Sequence, residues 1–134
     1  MIVIDANILI YSLIECDHSP LAHKLRESDA DWRTTALCLH EILNVLATYQ
    51  RRDVLTLAQC KKILDHAERF MKVAQCEVQL DAALTVAAKY AITSYDAQYV
   101  ALAQSLDVPL ITEDRKLRVA VPGVALSMQE FLAR

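Results

Sequence analysis

Glycine is nearly missing: Gly123 is the only one in 134 residues, where average usage of ~7% gives about nine. That scarcity excludes glycine-rich phosphate loops, the dinucleotide fingerprint and the G-x-S-x-G nucleophile elbow, each of which needs several glycines close together. The four cysteines, Cys16, Cys38, Cys60 and Cys76, form no C-x-x-C pair and are not followed by a histidine cluster. A zinc site is therefore not expected, and the thiols read as reduced core groups of a cytosolic protein. His18, His23, His40 and His66 lack H-E-x-x-H or any similar ligand spacing and read as structural or surface residues. The apolar N-terminus has no basic lead and carries Asp5 and Asn7. Neither a signal peptide nor a membrane span is expected there, and the expected location is the cytoplasm.

What is present describes an ordinary globular chain, 54% hydrophobic and 23% charged. Its length fits one domain spanning residues 1–134, able to bury roughly two-thirds of its unfolded surface. The net charge of −3 gives no general attraction for nucleic acid. Basic residues are nevertheless uneven. One group is Arg51, Arg52, Lys61, Lys62, Arg69 and Lys72, interleaved with Asp53, Asp65 and Glu68, and reads as solvated helix faces. A second group is Arg115, Lys116 and Arg118.

Helical and strand-like segments alternate, which predicts an α/β domain on a largely parallel sheet. Strands are expected at Ile2–Asp5, Asp31–Thr35, Val73–Leu80 and Val108–Thr112, and a short one follows the turn Val121-Pro122-Gly123-Val124. Helices are expected at Ala6–Glu15, from Ser19-Pro20 to about Ser28, and at Ala36–Arg51, Thr56–Lys72, Asp81–Tyr90 and Ser94–Leu106. Ser127-Met128-Gln129-Glu130 fits a capping box that opens a last helix.

Four acids stand out by position: Asp5 closing the first strand, Glu41 mid-helix, Asp96 opening a helix and Asp114 just past a buried strand. In open α/β sheets the functional crevice lies beyond the carboxyl ends of the strands, where Asp5 and Asp114 would sit. Structural explanations exist as well. Asp5 could simply cap the following helix, Asp96 could complement a helix dipole, and Asp114 could belong to a turn capped by Thr112. Glu41 is harder to explain that way, because Leu37 and Val45 flank it at helical spacing and a buried carboxylate is costly unless paired or metal-bound. Arg33 or Arg52 is the candidate structural partner. Together, four carboxylates in one crevice would repel one another unless a cation neutralised them. An all-oxygen ligand set suits Mg2+ or Mn2+.

The ordered motifs are Asp5-Ala6-Asn7 after an apolar strand, Glu41 in E-I-L-N-V-L, Tyr95-Asp96-Ala97 before Tyr99-Val100-Ala101-Leu102-Ala103, and Thr112-x-Asp114-x-x-Leu117. Over nearly the whole chain they resemble PIN domains, and most of all the small VapC-type toxin ribonucleases. The resemblance implies a three-layer α/β/α sandwich with a central parallel sheet. It implies an endoribonuclease that cuts single-stranded or loop RNA with Mg2+ or Mn2+ and leaves 5′-phosphate and 3′-hydroxyl ends. The implied acidic quartet is Asp5, Glu41, Asp96 and Asp114, with Asn7 and Thr112 in support. Arg115, Lys116 and Arg118 would draw the RNA backbone, or else form a solvated turn. Glu113 adds a carboxylate of undecided role. The implied partners are RNA, a small antitoxin protein and a second copy in a homodimer, with no membrane.

Other readings are distinguishable. A signalling receiver domain would show an acidic pair after its first strand, where this chain has Asp5-Ala6-Asn7. A haloacid-dehalogenase-like phosphatase needs D-x-D, and Asn7 occupies the second acid's place. A housekeeping RNA-processing nuclease, or a silent module that only binds RNA or protein, would keep the same fold.

Overall fold

The computed structural model describes residues 1–134. Five strands, β1 (Ile2–Ile4), β2 (Trp32–Thr35), β3 (Gln75–Cys76), β4 (Leu110–Ile111) and β5 (Ala125–Leu126), form one sheet in the order β3-β2-β1-β4-β5. Every pairing is parallel. Eight helices connect and cover them: α1 (Ala6–Leu13), α2 (Ser19–Ser28), α3 (Leu37–Arg51), α4 (Leu57–Ala74), α5 (Leu80–Tyr90), α6 (Ser94–Leu106), α7 (Arg115–Ala120) and α8 (Met128–Leu132). The expected three-layer α/β/α architecture is what the chain adopts.

The strand order explains where a site can form. From the central β1 the chain winds outward through β2 to β3, then crosses back to lay β4 and β5 on the other side of β1. Right-handed crossovers put the two sets of helices on opposite faces of the sheet. The connections therefore diverge between β1 and β4, and a crevice opens beyond the carboxyl ends of those strands.

Ile2, Val3 and Ile4 are wholly buried, as the centre strand of a parallel sheet must be. Helix α6 packs on β1, β2 and β4 and carries α5 on its outer side. Sandwiched in this way, it buries Ala97 and the unbroken run from Tyr99 to Ala103, and its small alanines allow close approach. On the other side α1, α3 and α4 pack on one another. One apolar cluster of 30 buried residues joins all the layers.

Several local expectations are corrected. The strand expected over Val73–Leu80 shrinks to Gln75–Cys76, because α4 continues through Ala74, with Val73 80% exposed on its last turn. Ser19 does not cap α2. It lies inside the helix, where its hydroxyl accepts from the Cys16 amide and donates to the Tyr11 carbonyl, tying the α1–α2 loop together. Helix α7, over Arg115–Ala120, was not expected. Only half of the capping box at Ser127 forms, with Ser127 Oγ accepting from the Glu130 amide. Of the four free thiols, Cys38 and Cys60 are buried, whereas Cys16 is exposed and so is not a core group. No helix is long and apolar enough to cross a membrane.

Candidate active site

Each candidate acid is placed by ordinary backbone chemistry. Asp5 follows β1 directly and is the N-cap of α1: its Oδ1 accepts from the Ile8 amide at 3.2 Å. Asp114 repeats the arrangement after β4, capping α7 through the Leu117 amide at 3.2 Å. Asp96 lies in the first turn of α6, whose N-cap is Thr93. Three carboxylates therefore sit at helix N-termini, where the partial positive charge of the dipole offsets part of their crowding. The capping explanations for Asp5 and Asp114 are real, and each cap consumes only one carboxylate oxygen.

Thr112 joins two of these groups. Its side chain is fully buried. The hydroxyl donates to Asp5 Oδ2 at 2.5 Å and accepts from the Asp114 amide at 3.1 Å. Thus Thr112 fixes the end of β4 against the end of β1.

Glu41 comes from α3, which follows β2. Its partner is neither Arg33, which pairs with Asp31 at 2.7 Å, nor Arg52, but Tyr99. The Tyr99 hydroxyl donates to Glu41 Oε1 at 2.7 Å from a ring that is almost wholly buried. Sequence reasoning assigned Tyr99 no role. The available signal was its position three residues after Asp96, which places both on one face of α6.

The electrostatics register the convergence. Burial pushes the Asp5 carboxyl up from 3.8 to about 6, hydrogen bonds from Thr112 and Ile8 oppose the rise, and the charges of Glu41 and Asp96 add to it. Glu41 is raised by burial and by Asp96, against the pull of Tyr99. Asp96 is raised by burial and by Asp114. Glu41 and Asp96 thus act on Asp5, Asp96 on Glu41, and Asp114 on Asp96. Even so, no group of three or more His, Cys, Asp or Glu side chains stands close enough together to hold an ion as the side chains lie. Asp5, Glu41 and Asp96 form the mutually interacting set, and Asp114 joins through Asp96 and Thr112.

The donor set is all oxygen. Cys38 is the thiol nearby, and burial pushes it up to about 12, so it stays protonated. Carboxylates that raise one another's pKa and keep lone pairs free fit a hard divalent cation such as Mg2+ or Mn2+.

The remaining candidates are placed as follows. Asn7 is exposed in the first turn of α1. Glu113 turns to the start of α8, its Oε1 accepting from the Met128 amide at 2.8 Å. Arg118 donates to the Thr112 carbonyl at 2.9 Å and lies 3.7 Å from Glu130, which braces α7 against the end of β4. Arg115 and Lys116 are exposed on α7.

The sheet has the strand order β3-β2-β1-β4-β5, and Asp5 and Asp114 cap the helices that follow β1 and β4. The PIN domain matches residues 2–121, and the chain belongs to that family. It is similar to Ribonuclease VapC3 of Pyrobaculum aerophilum, 29% identical over 127 residues that cover 92% of this chain and 96% of that protein. Among solved structures it is similar to PAE2754 from the same organism, with a TM-score of 0.71 and 28% identity, covering 99% of this chain and 94% of the other. A toxin–antitoxin complex from Klebsiella pneumoniae shares the fold at a TM-score of 0.71 and 16% identity, covering 96% of this chain and 98% of the other. FitAcB from Neisseria gonorrhoeae shares it at 0.68 and 14%, covering 96% and 99%.

Proposed function

We propose that this chain is a Mg2+- or Mn2+-dependent endoribonuclease acting as the toxin of a toxin–antitoxin pair. The observation that carries this reading is the Thr112 hydroxyl, which joins Asp5 at the end of β1 to the Asp114 backbone past β4, while Glu41 and Asp96 act on Asp5 through their charges. Membership of the PIN domain family supports it, as does similarity over most of the chain to a protein named as a ribonuclease. The shared fold with a toxin–antitoxin complex supports an antitoxin as partner.

Asp5 and Asp96 would hold the cation directly, with Glu41 and Asp114 completing the site directly or through water. A divalent cation held by these carboxylates would supply Lewis acidity, lowering the pKa of a bound water and offsetting charge on a phosphoryl oxygen. The chain's residues supply geometry. Thr112 and the Ile8 amide fix the Asp5 carboxylate, and Tyr99 fixes Glu41. The exposed Asn7 amide offers both a donor and an acceptor to a phosphate or to water. Arg115 and Lys116 supply positive charge for the RNA backbone beside an otherwise acidic pocket.

The test incubates the purified protein with structured RNAs in Mn2+ or in EDTA, beside Asp5→Asn and Asp96→Asn. Cleavage is expected only for the unsubstituted protein in Mn2+. Cleavage that persists in EDTA, or in both variants, would remove the proposal.

A further inference from the structure

Between α1 and α3 lies a cleft of about 470 Å³ that Glu41 itself helps to line, within the range of small-ligand sites. Its floor is apolar, made by Ile10, Leu37 and Val45. Asn7, His40 and Asn44 line its walls. All three are exposed, and their side chains spend no hydrogen bond on the protein, Asn44 using only its backbone carbonyl to accept from Thr48. The rim carries Tyr95, the residue before Asp96, which is 62% exposed.

We infer that this cleft is a nucleobase subsite, in which one unpaired base next to the cut phosphodiester stacks on Tyr95 and is met by the amides of Asn7 and Asn44. The inference rests on the ribonuclease reading of the adjoining acids and adds to it the part of the substrate that is gripped.

Three features favour a base over other occupants. The chain is net acidic at −3 and the neighbouring pocket is a cluster of carboxylates, so phosphate contacts alone offer a poor source of affinity. A base is uncharged, has a π face for the tyrosine and carries edge donors and acceptors that amides can meet. Single-stranded RNA is the form whose bases are free to enter such a cleft, since paired bases in A-form helices are hidden in a deep, narrow groove. The apolar floor and uncommitted polar walls match that mixed chemistry.

The test uses Tyr95→Ala and Tyr95→Phe, both at an exposed position whose packing contribution is small. Binding of a short unpaired RNA is followed by fluorescence anisotropy in EDTA, and kcat/KM is measured in Mn2+, with a matched RNA carrying an abasic position beside the cut bond. Tyr95→Ala is expected to weaken binding and lower kcat/KM about 10-fold or more, whereas Tyr95→Phe stays close to the unsubstituted protein. The salt dependence of binding is expected to be unchanged in both, since no phosphate contact is lost. The abasic RNA is expected to reproduce the Tyr95→Ala loss and to be insensitive to that substitution. Equal behaviour of Tyr95→Ala and the unsubstituted protein, or equal loss in both variants, would overturn the subsite. So would RNA binding independent of Tyr95 combined with Tyr95-dependent binding of an antitoxin peptide. Tyr95-dependent RNA binding without any cleavage in Mn2+ would instead sink the nuclease reading and leave the subsite standing.

Discussion

Tyr99 and Glu41, 58 residues apart in sequence, meet at 2.7 Å through a hydroxyl whose ring is buried in α6 and a carboxylate presented by α3. The bond ties helices from opposite faces of the sheet together at the crevice. Tyr99→Phe keeps the ring and deletes only the donor. It is expected to cost about 1–2 kcal/mol in thermal unfolding, since one charge-assisted bond is lost at a half-buried carboxylate. RNA cleavage should fall with it, because Glu41 loses its fixed orientation. Unfolding and activity both equal to the unsubstituted protein would show that the bond does not position Glu41.

Thr112 gives a second, independent test. Its hydroxyl holds Asp5 from one side and the Asp114 backbone from the other. Thr112→Val preserves the shape and removes both bonds. Partners that orient metal-binding carboxylates typically contribute about 10- to 100-fold to metal affinity or activity, and a loss of that size in Mn2+ affinity by calorimetry is expected. An unchanged affinity would make Thr112 a fold residue only.

The raised Asp5 carboxyl fixes the sign of a pH effect. Its folded pKa of about 6 lies above the ordinary 3.8, so the folded state binds the proton more tightly than the unfolded chain does. In EDTA that contribution is full below about 3.8 and is lost as pH rises through about 6. Its size is on the order of 3 kcal/mol, read as the difference between unfolding profiles of the unsubstituted protein and Asp5→Asn. Saturating Mn2+ should reverse the trend, because the cation competes with protons for the same oxygens. Parallel profiles for the two proteins in EDTA would contradict the shift.

Glu113 separates capping from chemistry. Its carboxylate accepts from the Met128 amide at the start of α8. Glu113→Ala is therefore expected to destabilise by about 1 kcal/mol while Mn2+ affinity stays within about twofold of the unsubstituted protein. A large loss of Mn2+ binding would place Glu113 in the site.

The elements that frame the crevice were readable because their signals are local. Ile2–Ile4 is an apolar run long enough only for a buried strand, and Asp5 and Asp114 had to fall at strand ends once the β/α alternation was read. The misses have tertiary causes. Six residues are too few for a helix that stands alone, and α7 forms because Leu117 is buried and Asp114 and Arg118 brace its ends. The edge strand β3 is two residues long and is held by its pairing with Thr34 and Thr35 rather than by any alternation of its own. Glu41 was legible as a carboxylate in apolar surroundings, but its partner was not. Nothing in the chain near α3 names Tyr99, because the buried hydroxyl arrives from α6, 58 residues further on.

The proposed activity requires Asp5, Glu41, Asp96 and Asp114 to act together on one divalent cation. Calorimetric titration of Mn2+ into the metal-free protein at pH 7 tests that directly, beside Asp5→Asn, Glu41→Gln, Asp96→Asn and Asp114→Asn. Saturable binding that each of the four substitutions weakens at least tenfold is the predicted result. No binding by the unsubstituted protein, or binding indifferent to Asp5 and Asp96, would contradict the account.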